Sequence, residues 1–436
     1  MNCKQICILI FLLTACQVGA QTNYTSYFTG NPTDTEVNPE GGFVLMGGAG
    51  ENDQAMIWFL QRANGGDVLV LRTSGSDGYN DYMYSELGVT VNSVETIVFN
   101  DWTAASEPYV LNKIQQAEAI WFAGGDQWDY VSYWRGTGVA TGINDAISER
   151  GAVVGGISAG MAIMGSIYFT AENGTVTSDE ATTNPYHPKI TLSGAPFLDI
   201  DYLTGVITDT HYDDPDRRAR HSVFLARAMV DMGVNAKGIA CDEFAAICIA
   251  PDGIARVFGE YPTFDDNVYF IHSNCNLEVP GPEVIGPGGP ITWYRDGTAL
   301  YAYKVKGTET GENTFDLNDW QTGSGGEWLN WSIDAGIFNE FPGADPSCDP
   351  LHTDEFRLKG ISLYPNPARS DFNLEIPEGL GAQVQIFNTL GQQLYQSNLN
   401  DDSALQINTA NWSAGTYFVR ITTTSGQVLL NKLIKE

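Results

Sequence analysis

The sequence predicts an α/β fold, a mostly parallel sheet flanked by helices, followed by a small C-terminal β-sandwich. Three observations carry this. From residue 42 short apolar runs alternate with helix-period segments, and three of those runs end in glycine clusters. Past residue 306 the composition turns to Gly, Thr, Asn and Trp before short alternating strands take over. At 436 residues, 43% of them hydrophobic, the chain is long enough to bury cores in two or three domains.

The elements follow in order. Residues 1–20 combine one Lys, an apolar run over 6–13 and the small residues Val18-Gly19-Ala20, which reads as a secretory signal peptide cleaved after Ala20. Leu13-Thr14-Ala15-Cys16 also has the form of a bacterial lipobox, so a lipid anchor on Cys16 is the alternative. Residues 21–40 form an N-terminal extension. Within 41–306, the runs 43–46, 68–71, 94–99, 119–122 and 153–154 read as buried strands, with helices at 53–62, 108–116 and 142–150. This repeated βαβ pattern puts ligands at the carboxyl ends of the strands. There Gly47-Gly48-Ala49-Gly50, Gly124-Gly125 and Gly155-Gly156 should converge on one crevice. Residues 307–359 read as a β extension or linker, and 360–436 as the small β-sandwich.

A net charge of -31, from 53 acidic against 22 basic residues, argues against nucleic acid and anionic membranes as partners. Cys3, Cys7 and Cys16 fall in the signal, leaving Cys241, Cys248, Cys275 and Cys348 in an oxidising compartment. Cys241 and Cys248 read as sharing one strand, too far apart to bridge without a turn. A Cys275 to Cys348 bridge is compatible with the pattern. None of the four has CxxC spacing, and no metal or organic cofactor is called for.

Chemistry concentrates in "GGISAG", residues 155–160, where one hydroxyl stands among small residues as an apolar run turns helical. Gly156-x-Ser158-x-Gly160 is the spacing of a nucleophile elbow, a turn sharp enough to present Oγ to solvent. The pattern is weak alone, and its strand-then-helix context strengthens it. That context sets the next residue at a helix N-terminus, where backbone N–H groups can hold an oxyanion. A serine nucleophile needs a base, and the five histidines are His187, His211, His221, His272 and His352. His211 closes the apolar run 206–211 ahead of a helix expected at 215–232, another strand-to-helix junction. His221 lies inside that helix, while His187 and His352 sit in Pro- or Asp-rich loops.

"IWFAGGDQ" (120–127), "GGISAGM" (155–161) and "TDTHYDDPDRRAR" (208–220) together resemble the cyanophycinase and aspartyl dipeptidase E family of serine peptidases. The resemblance covers about residues 41–306 and implies a class I glutamine amidotransferase-like, flavodoxin-like fold. It implies Ser158 as nucleophile, His211 as base, the backbone amides of Gly48 and Ala159 as oxyanion hole, and Gln127 as a substrate contact. For the third triad member Glu243, in "GIACDEFAAICI", matches the family's Asp-Glu; Asp242, Glu172, Glu180 and Asp209 are rivals on sequence. Arg217 and Arg220 stand where positive side chains oppose the helix dipole, which suggests a bound substrate carboxylate; pairing with Asp213, Asp214 and Asp216 is the alternative. Relatives carry a further Arg where this chain has Pro215, a departure that bears on cyanophycin as a substrate.

"YPNP" (364–367), "IFNTLGQQL" (386–394), "SAGTYFVRI" (413–421) and the terminal "NKLIKE" resemble a type IX secretion sorting domain. This implies engagement with that secretion machinery and export across the outer membrane, with the product secreted or attached to the cell surface. The expectation is a secreted serine peptidase that cleaves a peptide or isopeptide bond beside an aspartyl residue through an acyl-enzyme, with homodimerisation left open. An α/β-hydrolase-type esterase and an inactive binding module on the same fold are the alternatives.

Overall fold

The computed structural model describes residues 22–348 and, beyond them, 362–364, 366–375, 382–388, 392–399, 404–423 and 428–436. The signal peptide, the Cys16 lipobox, His352 and the segment 349–361 lie outside the described residues. The chain divides into two compact units, residues 1–347 and 348–436.

In the first unit, β1 (Tyr24–Gly30), β2 (Phe43–Met46), β3 (Asp67–Arg72), β4 (Ser93–Phe99), β5 (Ala119–Phe122) and β6 (Val153–Ile157) alternate with α1 (Asp53–Arg62), α2 (Gly78–Asp81), α3 (Pro108–Gln116), α4 (Gln127–Trp134) and α5 (Gly138–Arg150). After β6 come α6 (Ala159–Ala162), β7 (Tyr168–Phe169), α7 (Ser178–Thr183), β8 (Leu192–Ser193), β9 (Val206–Asp209), α8 (Arg218–Met232) and β10 (Lys237–Cys241). The remaining strands of this unit are β11 (Ala246–Ile249), β12 (Ile254–Tyr261), β13 (Asn267–Ser273), β14 (Leu300–Lys306), β15 (Asn313–Asp316), β16 (Gly323–Ser324), β17 (Gly326–Asp334) and β18 (Ile337–Pro342).

One sheet has the order β1-β4-β3-β5-β6-β2-β11-β12-β15-β16. Its middle five strands, β4 to β2, are parallel, as the βαβ pattern requires; β1 adds antiparallel at one edge and β11 to β16 at the other. The strands are apolar on both faces because both are covered. Val44, Met46, Val70 and Trp121 meet Phe59 and Leu60 of α1, while Leu45, Leu71, Ile120 and Phe122 meet Ile114, Trp134 and Ile143 of α3 to α5. The helix signals are local: the Asn52 side chain caps α1 by accepting from the Ala55 amide at 3.1 Å, and Gly151 (φ 67°) closes α5 in the left-handed region.

A second sheet, β18-β17-β14-β13-β10-β9, was not anticipated. Ile239, Cys241, Val268 and Phe270 on one face join the core of the first sheet; Ala240, Tyr269 and Ile271 on the other pack against Val223 and Phe224 of α8. This corrects two expectations. Residues 307–342 are not a separate extension, because β15 and β16 continue the first sheet and β17 and β18 the second. Cys241 and Cys248 do not share a strand: the chain turns at 242–245 and passes from one sheet to the other, leaving both thiols free and buried. Cys275 and Cys348 are disulfide-bonded.

The second unit pairs β19 (Ser362–Tyr364), β20 (Asp371–Glu375) and β23 (Ala404–Asn408) in one sheet. The other sheet holds β21 (Ala382–Asn388), β22 (Gln393–Leu399), β24 (Gly415–Thr423) and β25 (Val428–Lys435). Phe372, Leu374, Val384, Ile386, Val419 and Ile421 form its own buried core, as a small β-sandwich needs. A chain ending at Cys348 is therefore expected to fold by itself with one cooperative urea transition; a truncation that does not fold contradicts this division.

Candidate active site

Ser158 sits between β6 and α6 with φ 53° and ψ -116°, a backbone that costs strain for any residue with a Cβ. Its amide donates to the Met46 carbonyl at 3.0 Å, which ties the turn to β2. The flanking glycines are required by contact. A Cβ on Gly160 would lie 2.2 Å from the Phe122 carbonyl oxygen, and one on Gly156 would lie 2.6 Å from Gly160. Gly124 faces Ser158 directly, where a Cβ would be 3.8 Å from the serine Cβ. The small residues of "GGISAG" thus have a steric role: they let the turn close against β5 while Oγ stays at the surface.

His211 follows β9, also in left-handed backbone (φ 47°), and its amide donates to the Gly47 carbonyl at 3.0 Å. Ser158 Oγ lies 2.7 Å from His211 Nε2, and His211 Nδ1 lies 2.6 Å from Glu243 Oε1. With the proton on Nδ1, the ring donates to Glu243 and Nε2 accepts from the serine hydroxyl. The imidazole and the carboxylate are each about one-quarter exposed, so a substrate can reach them. A Cβ on Gly48 (φ 134°) would lie 2.4 Å from His211 Cε1, so only glycine lets the 47–50 loop pass this close to the ring. Ala159 is the first residue of α6, and its N–H has no acceptor within the helix. The arrangement can transfer the serine proton to an imidazole held by a carboxylate, beside backbone donors suited to an oxyanion.

Three of the four rival carboxylates are engaged elsewhere. Asp242 accepts from the Asn267 amide and Nδ2; Glu180 caps α7 through Thr177 and pairs with Lys189 at 2.9 Å. Glu172 is exposed. Asp209 is buried against Arg220, whose Nε and Nη2 donate to its two oxygens at 2.9 and 2.5 Å. Burial works against ionisation of Asp209, and the Arg220 guanidinium outweighs it, holding the carboxyl below its usual range. Arg220 therefore does not reach substrate. It is 3% exposed and also donates to Thr175 Oγ1 and the Val176 carbonyl, which corrects its reading as a substrate-binding residue. Arg218, not singled out from sequence, takes Asp216 and Glu340 instead.

Arg217 is the N-cap of α8, which starts three residues later than expected because 212–217 close a turn, the Arg217 amide donating to the Tyr212 carbonyl. Its Nη1 donates to the Thr210 carbonyl beside His211 at 2.9 Å, while its buried Nε has no partner among the described residues. Gln127 opens α4, and its Nε2 donates to the Phe169 carbonyl at 2.8 Å. His221 is fully buried between the Tyr212 hydroxyl and the Ile207 carbonyl; burial pushes its pKa down to about 4, so it serves the core. Sequence reasoning missed Asp213, whose Oδ1 accepts from the Glu243 amide at 2.9 Å. Its place in an acidic loop gave no signal of this. Among the described residues no cluster of three or more His, Cys, Asp or Glu side chains is arranged to hold a metal ion.

On a helix-flanked parallel sheet, a serine at an elbow joined through imidazole to a carboxylate is the arrangement of a serine hydrolase. Comparison with known proteins is consistent with that class. Residues 76–254 match Peptidase family S51, and residues 362–436 match the Secretion system C-terminal sorting domain, so the resemblances read from the motifs hold for both segments. The chain is 25% identical over 227 residues to a cyanophycinase of Synechococcus elongatus, covering 50% of this chain and 66% of that one. It is 31% identical over 84 residues to the ulvan lyase NLR42 of Nonlabens ulvanivorans, covering 19% of this chain and 16% of the lyase. It thus spans less than two thirds of the length of each of these relatives. Among solved structures, a peptidase from an acI-B1 Actinobacterium aligns with a TM-score of 0.41 at 15% identity, over 64% of this chain and 98% of that one. A putative peptidase E protein of Listeria monocytogenes EGD-e aligns at 0.32 and 15% identity, over 50% and 98%. The C-terminal sorting domain directs export by type IX secretion, to the cell surface or the medium.

Proposed function

We propose that this protein is a secreted serine peptidase of the cyanophycinase and peptidase E type, hydrolysing a peptide or isopeptide bond beside an aspartyl residue through an acyl-enzyme. The unbroken hydrogen-bond chain Ser158–His211–Glu243 carries the reading. In this mechanism His211 takes the Ser158 proton as Oγ attacks the carbonyl carbon, and the amides of Gly48 and Ala159 receive the developing oxyanion. His211 then protonates the leaving amine, and Glu243 holds the ring and stabilises its charged form. Water repeats the sequence in reverse to free the acyl group. Hydrolysis of Asp-X and β-aspartyl peptides, cyanophycin among them, tests the substrate class. Turnover of simple esters with none of any aspartyl peptide would favour an esterase instead.

Arg217 is the residue for the substrate's carboxylate, since it stands at a helix N-terminus beside the base and its Nε has no partner among the described residues. Arg217→Ala is expected to raise KM about ten-fold or more on acidic substrates, as loss of a charge-assisted bond of about 1.5–3 kcal/mol implies. Equal losses on acidic and neutral substrates would count against this role.

A further inference from the structure

The turn at 242–245 is where the pieces of the site are fastened together. The Gly47 amide donates to the Ala245 carbonyl, Phe244 N–H donates to the Gly48 carbonyl, and Tyr212 N–H donates to the Cys241 carbonyl. A Cβ on Gly47 would lie 2.0 Å from the Asp242 carbonyl oxygen, so the oxyanion loop rests on the backbone of the turn. One side chain anchors the turn from behind. Asp242 Oδ2 accepts from both the backbone amide and Nδ2 of Asn267, at 3.0 and 2.8 Å, while the Asp242 amide donates to the Asn267 carbonyl. Asp242 is 3% exposed, and its Oδ1 has no partner among the described residues.

We propose that Asp242 is a positioning residue for the hydrolysis: gripped by Asn267, it fixes the turn that carries Glu243 to His211 and supports the Gly47-Gly48 loop. The inference rests on the serine-hydrolase reading. Asp242 touches neither substrate nor the triad, and its neutral carboxyl is the form that fits. Burial pushes its pKa up to about 7; the Asn267 donors oppose this, the Asp213 carboxylate adds to it, and Lys304 on β14 opposes it. Cys241 on β10 and Tyr269 on β13 are the other titratable groups facing it. Ionisation places a charge with one unpartnered oxygen in a dry site, facing the same Asp213 that holds the Glu243 amide, and so loosens the turn.

Two variants and two readouts test this. Asp242→Asn mimics the neutral acid and keeps an acceptor for Asn267; Asp242→Ala removes the grip. At about pH 6 Asp242→Asn is expected to keep kcat within about three-fold of the parent, while Asp242→Ala loses about 10- to 100-fold with KM little changed, as misplacement without contact implies. As pH rises through about 7 the parent loses kcat and Asp242→Asn does not. The low-field Nδ1 proton of His211, followed by NMR, should persist in Asp242→Asn and shift or vanish in Asp242→Ala. Unchanged kcat and an unchanged proton in Asp242→Ala overturn the proposal. Should that variant fail to fold, an Asp242→Asn profile that falls like the parent's overturns it. A parent that turns over no substrate defeats the proposed function, while the proton signal still decides the inference.

Discussion

Replacing Ser158 by Ala is expected to lower kcat by on the order of 10⁴ to 10⁶ while leaving the protein folded, because it removes the attacking atom and little else. The side chain is one oxygen larger than alanine and half-buried, and the turn is held by the Met46 carbonyl and the flanking glycines rather than by Oγ. His211→Ala should be comparably damaging, and the double variant little worse than either, since serine and imidazole act as one unit. Glu243→Gln should cost less, leaving nucleophile and base in place with the ring poorly held. Single-turnover kinetics on folded variants separates these cases. Additive losses in the double variant would mean that Ser158 and His211 act independently.

The second large effect concerns stability. Arg220→Ala is expected to destabilise the fold by about 3–5 kcal/mol, because it takes from the buried Asp209 carboxylate the guanidinium that pairs with it. The double variant Arg220→Met with Asp209→Leu should recover much of that loss by removing both charges together. Urea unfolding at neutral pH measures both. A cost below about 1 kcal/mol for Arg220→Ala would show that the pair is solvated rather than buried. Neighbouring Arg217→Ala, which removes the bond to the Thr210 carbonyl but no buried ion pair, is expected to cost less than Arg220→Ala.

What could be read in advance was what is encoded locally. The Gly156-x-Ser158-x-Gly160 spacing, the strand before it and the helix after it are all within ten residues, and the steric demands that make the glycines necessary act over the same distance. His211 was legible as a base at a strand-to-helix junction, although its strand, β9, lies in the second sheet and not in the one that carries Ser158. Glu243 needed the family resemblance: adjacent Asp242 is chemically equivalent on paper, and only the turn decides that one carboxylate meets the imidazole and the other meets Asn267. Arg217 and Arg220 were indistinguishable for the same reason. The partner of Arg220 is Asp209, on the preceding strand, and no helix-dipole argument reveals that the side chain turns inward to it. The second sheet escaped notice because its strands lie from 206 to 342 and are interrupted by strands of the first: β10 pairs with β13 across β11 and β12, and β14 with β17 across β15 and β16. β1 was hidden by its polar, half-exposed sequence YTSYFTG, which suits an edge position and lacks the apolar run of a central strand.

The central claim is that Ser158 is an activated nucleophile, and the most direct measurement is covalent labelling of the purified protein by a fluorophosphonate, followed by peptide mass mapping. The account predicts one adduct per chain, on Ser158, formed rapidly in the parent, slowly in His211→Ala and not at all in Ser158→Ala. A parent that stays unlabelled, or one whose label persists in Ser158→Ala, would contradict it.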